Sequence, residues 1–153
     1  MTAAEQLANG PVQLCAFRIG DEEYVIDIMR VEEILAVPQI TRVRRAPKFV
    51  EGVVNLRGAI IPVVDVRRQL LGELPVPQHR ERLILCKLGN FKVALRVDAV
   101  NAILKVSTDS LQAAPLSSKK GARAHVLGVC TLGKRLLLML DVKALLVDRA
   151  SDT

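Results

Sequence analysis

Two histidines, three cysteines and one run of carboxylates are the groups in this chain that could carry out chemistry. A catalytic histidine needs a nucleophile or an orienting carboxylate within reach. His79 lies in a proline-containing stretch and His125 beside an apolar run, and neither has a Cys, Ser or Asp relay near it in sequence. Cys15, Cys86 and Cys130 are far apart, and each sits in an apolar run. They match no zinc-ligand spacing and no C-x-x-C pair, so they read as small buried hydrophobes. Asp21-Glu22-Glu23 follows Gly20 in what reads as a turn between strands, where acidic residues are ordinary. No phosphate-cradling glycine loop is present. The expectation is a protein without enzymatic activity, metal or cofactor, whose work is binding.

The elements that would position a binding surface repeat along the chain. Leu14 to Gly20 is matched by Leu83 to Gly89, each a short apolar strand ending in a glycine turn. Tyr24, Ile26 and Ile28 alternate with other residues as Val93, Leu95 and Val97 do, which is the period of a strand. Val31, Ile34 and Leu35 correspond to Val100, Ile103 and Leu104, all at an offset of 69. A second block, Gly52 to Asp65, matches Gly128 to Asp141 at an offset of 76. Each aspartate precedes a short helical pattern whose first amides it can cap, an interaction worth about 1 kcal/mol. The seven extra residues fall in the polar stretch 116–124, which reads as a longer loop.

This duplication predicts an all-β fold of two similar lobes, about 12–72 and 80–148, with a seam at 72–82 containing Pro75 and Pro77. Each lobe would hold five short strands and a helical turn, curled into a barrel that hides its edges. Strands may be exchanged between lobes, because the pattern does not say which strand closes which. Residues 1–11 read as a flexible N-terminus and 151–153 as a tail.

Composition agrees. Half the residues are apolar and aromatics are scarce, so Val, Leu and Ile fill the interior. No apolar run approaches the roughly 20 residues of a membrane helix, and the start of the chain has no signal-peptide pattern, so the sequence predicts a cytoplasmic protein. The net charge of +6 raises nucleic acid as a partner. The basic groups Arg42, Arg44, Arg45 and Lys48, then Arg67 and Arg68, then Lys119, Lys120 and Arg123 are scattered and lack interleaved stacking aromatics. They read as solvated surface, and a basic β-barrel that binds nucleic acid remains the competing reading.

What one lobe has and the other lacks points to function. Arg57 aligns with Gly133 and Glu33 with Ala102. An arginine between a strand and a tight turn can offer its planar fork to a partner's carboxylate or carbonyls, or pair internally with Glu33, or do both.

The run Phe17 to Ile28, the segment Val31-Glu-Glu-Ile34, Pro47 followed by Phe49 and Gly52, Asn55-Leu-Arg-Gly58 and Pro62-Val-Val-Asp-Val66 together resemble CheW, the bacterial chemotaxis coupling family. The resemblance runs from about Leu14 to Leu146 and marks 12–150 as a single CheW-like domain. It implies two small five-stranded SH3-like barrels with an apolar interface between them. It also implies an adaptor that links the cytoplasmic tip of methyl-accepting chemoreceptors to the regulatory domain of a CheA-type histidine kinase. Such a protein would sit at the inner face of the membrane through receptor arrays, without inserting into it and without binding nucleic acid. Val31, Glu33, Gly52 and Arg57 match positions that the family uses around receptor binding. Ile28 joins Val31 as the expected lining of a groove for the helical receptor tip, and Asn55 and Gly58 flank Arg57 in the motif. No residue is assigned to kinase contact.

Overall fold

The alternating apolar segments form eleven strands in the computed structural model, which describes residues 11–72, 79–113 and 125–147. In chain order they are β1 (Val12–Ile19), β2 (Glu22–Asp27), β3 (Val31–Ala36), β4 (Gly52–Leu56), β5 (Ala59–Asp65), β6 (Arg82–Leu88), β7 (Phe91–Val97), β8 (Ala99–Val106), β9 (Leu111–Ala113), β10 (Val126–Leu132) and β11 (Arg135–Leu140). One short helix, α1 (Val66–Leu71), follows β5. The expected N-terminal arm up to Gly10, the centre of the seam (73–78), the long loop at 116–124 and the tail all lie outside the described residues.

The strands form two sheets, ordered β8-β1-β2-β11-β10-β9 and β3-β6-β7-β5-β4. Neither sheet follows the halves of the sequence. The ranges 12–72 and 80–148 delimit the repeated units, but each sheet takes its central hairpin from the other unit. The β1–β2 hairpin joins β8, β10 and β11, and β6–β7 joins β3, β4 and β5. The repeat nevertheless holds pair by pair. Cys15 faces Ile26 as Ile84 faces Leu95, and Cys15 faces Ile103 as Ile84 faces Ile34. The parallel pairs Met139–Val25 and Val63–Ala94 correspond likewise. The first sheet has six strands rather than the expected five because β9 adds an edge; its counterpart in the other sheet is the single bridge Thr41–Val53.

Exchange explains why the hairpin strands read as near-continuous apolar runs. Strands covered on both faces lose the polar half of their alternation. Leu14, Ala16 and Val25 face a core of the first sheet with Cys130 and Leu137. Leu83, Leu85 and Ala94 face a core of the second with Val54, Ile61 and Val63. The residues between them, Cys15, Phe17, Tyr24, Ile26, Ile84, Cys86, Val93 and Leu95, meet in a third cluster between the sheets. Phe17 and Tyr24 stack there with ring centroids 6.1 Å apart. All three cysteines are buried and free, as expected. Burial pushes the Cys15 thiol up to about 11 and that of Cys86 to about 12, which keeps both protonated and unreactive.

The two aspartates behave differently. Asp65 caps α1 as predicted, its side chain accepting from the amides of Arg67 and Arg68. Asp141 does not repeat this. Only a three-residue 3-10 turn, Lys143–Leu145, follows it; the cap position falls on Val142, which has no side-chain acceptor, and the turn closes through the Ala144 amide on the Asp141 carbonyl. The α1 helix is also tied to that turn: the Gln69 amide donates to the carbonyls of Leu145 and Val147 at 2.7 and 2.8 Å. Among the described residues no helix is long and apolar enough to cross a membrane.

Candidate functional site

The hairpin turn between β4 and β5 is built from the motif residues themselves. Arg57 and Gly58 both have positive φ, 52° and 87°, the requirement of a two-residue turn that matches strand twist. Asn55 stabilises it by accepting the Gly58 amide at 2.9 Å. Glycine carries the left-handed conformation without penalty, and the second unit uses Gly133 (φ 59°) where the first places Arg57. An arginine held there, with its side chain 72 % exposed, is a local compromise that presents a guanidinium at the turn tip.

Arg57 does pair with Glu33. Its Nη2 donates to Glu33 Oε2 at 2.5 Å and its Nη1 to Oε1 at 3.4 Å. The hydrogen bond from Arg57 holds the Glu33 carboxyl below its ordinary value. Because β3 and β4 are the opposite edges of their sheet, this pair shows that the sheet curls until its edges meet. The other sheet has Ala102 and Gly133 at these positions and so lacks this ion pair.

The remaining expected site residues divide by burial. Ile28 begins the 3-10 turn Ile28–Arg30 and Val31 opens β3; both are half-buried and pack on the cluster between the sheets. Gly52 is buried beneath the chain at Ile40–Thr41: a Cβ there would lie 2.5 Å from the Thr41 carbonyl oxygen. Gly128 in the second unit is crowded in the same way by Gln112, its Cβ position 2.3 Å from that carbonyl oxygen. The shared glycine is therefore needed for close strand approach, whereas Glu33, Asn55, Arg57 and Gly58 form one connected surface feature and Ile28 and Val31 lie at the start of the β3 edge.

A second cluster lies where the sequence pattern predicts solvated surface: Arg67 is only 2 % exposed. Its Nε and Nη2 donate to Asp65 at 3.0 and 2.9 Å, its Nη1 donates to Asp98 at 2.9 Å, and it also pairs with Glu81. Asp98 in turn accepts the Gly20 amide at 2.7 Å, so it connects α1 to the β1–β2 turn of the other sheet. Arg96 extends the network to Glu81 and Glu51. Burial opposes ionisation of Glu81, but hydrogen bonds from Arg96 and Arg67 outweigh it and hold the carboxyl low. Burial prevails at Glu51 and pushes its carboxyl up against the pull of Arg96. No sequence signal marked Arg67, since its counterpart Lys143 is exposed.

The carboxylates are thus engaged with arginines, not assembled around a reacting atom. His79 is exposed in a turn, and His125 immediately precedes β10. Among the described residues no group of three or more His, Cys, Asp or Glu is placed to hold a metal ion. Fold and surface together define a two-sheet β scaffold whose distinguishing feature is an exposed, ion-paired hairpin turn.

The profile of the CheW-like domain matches residues 13–150, and the chain belongs to that family. It is 33% identical over 150 residues to the probable chemotaxis protein CheW of Rhizobium etli, covering 98% of this chain and 97% of that one. It is 36% identical over 140 residues to the chemotaxis protein CheW of Rhizobium meliloti, covering 92% and 90%. Among solved structures it is similar to the scaffolding protein TtCheW from Thermoanaerobacter tengcongensis, with a TM-score of 0.78, 28% identity, and 85% and 88% of the two chains covered. Membership of a chemotaxis scaffold family and a mainly β, two-sheet architecture agree with the sequence reading.

Proposed function

We propose that this chain is a non-catalytic adaptor that couples the cytoplasmic tip of chemoreceptors to the regulatory domain of a CheA-type histidine kinase. The observation that supports it most directly is the Arg57–Glu33 pair on a turn whose backbone is unfavourable for arginine. The fold alone is served by glycine, as Gly133 demonstrates in the second unit. The guanidinium is thus retained for what it presents. In this reading Arg57 faces the receptor's polar groups, Glu33 fixes its direction, and Asn55 and Gly58 set the turn. Ile28 and Val31 supply the apolar footing for one face of a receptor helix, and Gly52 seats the neighbouring chain. Kinase and receptor use separate faces, and array formation raises the effective concentration of each weak contact. The protein would act at the inner face of the membrane through the receptors and without entering the bilayer.

Co-sedimentation with a receptor signalling fragment and a CheA regulatory domain tests this. Arg57→Ala is expected to lose receptor while keeping its fold and kinase; unchanged receptor recovery by a folded Arg57→Ala protein would refute the assignment. Val31→Glu should act likewise, and normal ternary assembly by that variant would remove Val31 from the surface.

A further inference from the structure

On the second sheet, away from the Arg57 turn, residues 40–51 lean over α1 and the end of β7 and enclose a cleft of about 940 Å³. That is the upper end of the size range for ligand sites. Its lining is strongly basic: Arg42, Arg44, Lys48, Arg67, Arg68 and Arg96 against only two carboxylates, Glu51 and Asp65. Arg67 is held by Asp65, Glu81 and Asp98, and Arg96 by Glu51 and Glu81, so these two cations and the two lining carboxylates neutralise within the protein. Arg42, Arg44 and Lys48 are exposed and make no ion pair with a described residue. The Nε of Arg96 is shielded from solvent and has no acceptor.

We infer that this cleft binds an acidic peptide segment of a partner protein. Two features select that chemistry. The uncommitted cations Arg42, Arg44 and Lys48 are spread along one segment of the wall, which suits several singly charged carboxylates, with bidentate pairs at the two guanidinium groups. Ile40, Val43, Pro47 and Phe49 lie between the cations and give apolar footing to a peptide, whereas a nucleic-acid strand would require a series of stacking aromatics. Nothing in this inference depends on the receptor reading, because none of the cleft residues belongs to the Arg57 turn.

The test is fluorescence anisotropy of the full chain with a short labelled peptide alternating glutamate and leucine, beside a lysine–leucine peptide and a single-stranded oligonucleotide. The glutamate peptide should bind saturably and weaken with salt, and it should shift the Nε–H resonance of Arg96. Arg42→Gln/Arg44→Gln should weaken it by about tenfold or more. Lys87→Gln/Lys105→Gln removes the same charge at exposed sites outside the cleft and should leave binding nearly unchanged. Arg57→Ala should also bind like the parent. Equal weakening by the two double variants would mean attraction to net charge alone and would overturn the proposal. So would absence of peptide binding, or tighter binding of the oligonucleotide at the same residues.

Discussion

Replacing Arg67 by methionine tests the buried charge network most sharply. Methionine keeps much of the aliphatic stem but removes every donor, so Asp65, Glu81 and Asp98 lose the cation they surround. Arg96 still pairs with Glu81, and the Arg67 and Arg68 amides still reach Asp65, so neutralisation is lost only in part. Asp65 and Glu81 are 7 % and 6 % exposed, too little for water to take over. Removing one partner of such a buried pair costs about 3–5 kcal/mol, a large share of the 5–15 kcal/mol by which domains are typically stable. At about 2–4 °C per kcal/mol for a chain of this size, the melting temperature should fall by roughly 6–20 °C. Urea unfolding at several pH values gives the decisive measurement. Carboxylates that lose their cation rise in pKa, so acid neutralises them and the gap between variant and parent should narrow as pH falls through the carboxylate range. A variant within about 1 kcal/mol of the parent, or a gap that does not narrow in acid, would refute the account.

Other perturbations follow from single contacts. Gly128→Ala places a methyl 2.3 Å from the Gln112 carbonyl oxygen, so β9 should detach and the amides of 111–113 should lose protection in hydrogen exchange. Gln69→Ala leaves the Leu145 and Val147 carbonyls without their donor; a loss of about 1–3 kcal/mol is expected, with faster exchange across 143–147. The parent itself should lose stability in acid. Glu81 and Glu23 are both held below their ordinary value, Glu23 chiefly by its hydrogen bond from Arg135. Their contribution is present above the unfolded glutamate value of about 4.3 and is lost as pH falls through the lower folded values. A flat urea midpoint across that window would contradict it.

The repeat was legible because strand pairing preserves it residue by residue: the same glycines turn the same hairpins, at Gly20 and Gly89. The exchange of hairpins was not, and the reason is physical. Two equivalent hairpins present the same alternation, so either can complete either sheet, and pattern alone cannot choose between them. At the candidate site, the Glu33–Arg57 partnership was readable from what the second unit lacks, but the left-handed backbone of Arg57 was not, since arginine carries no preference for it. Arg67 was hidden for another reason. The first of two arginines after a capping aspartate looks solvent-exposed until the ends of β6 and β7 bring Glu81 and Asp98 from elsewhere in the chain.

The crossed hairpins also govern how the chain comes into being. In the finished fold each unit gives its hairpin to the sheet built from the other unit's outer strands, β1–β2 to β8, β10 and β11, and β6–β7 to β3, β4 and β5; the architecture is that of a hairpin-swapped dimer fused into one polypeptide. During synthesis β1 and β2 must wait for β8, about 80 residues later, and then for β10 and β11. At about 5–20 residues per second, the first hairpin waits roughly 4–16 s on the ribosome for its first neighbour in the sheet. Through that interval its unpaired edges are open to pairing with another chain, so rapid synthesis favours correct assembly over aggregation.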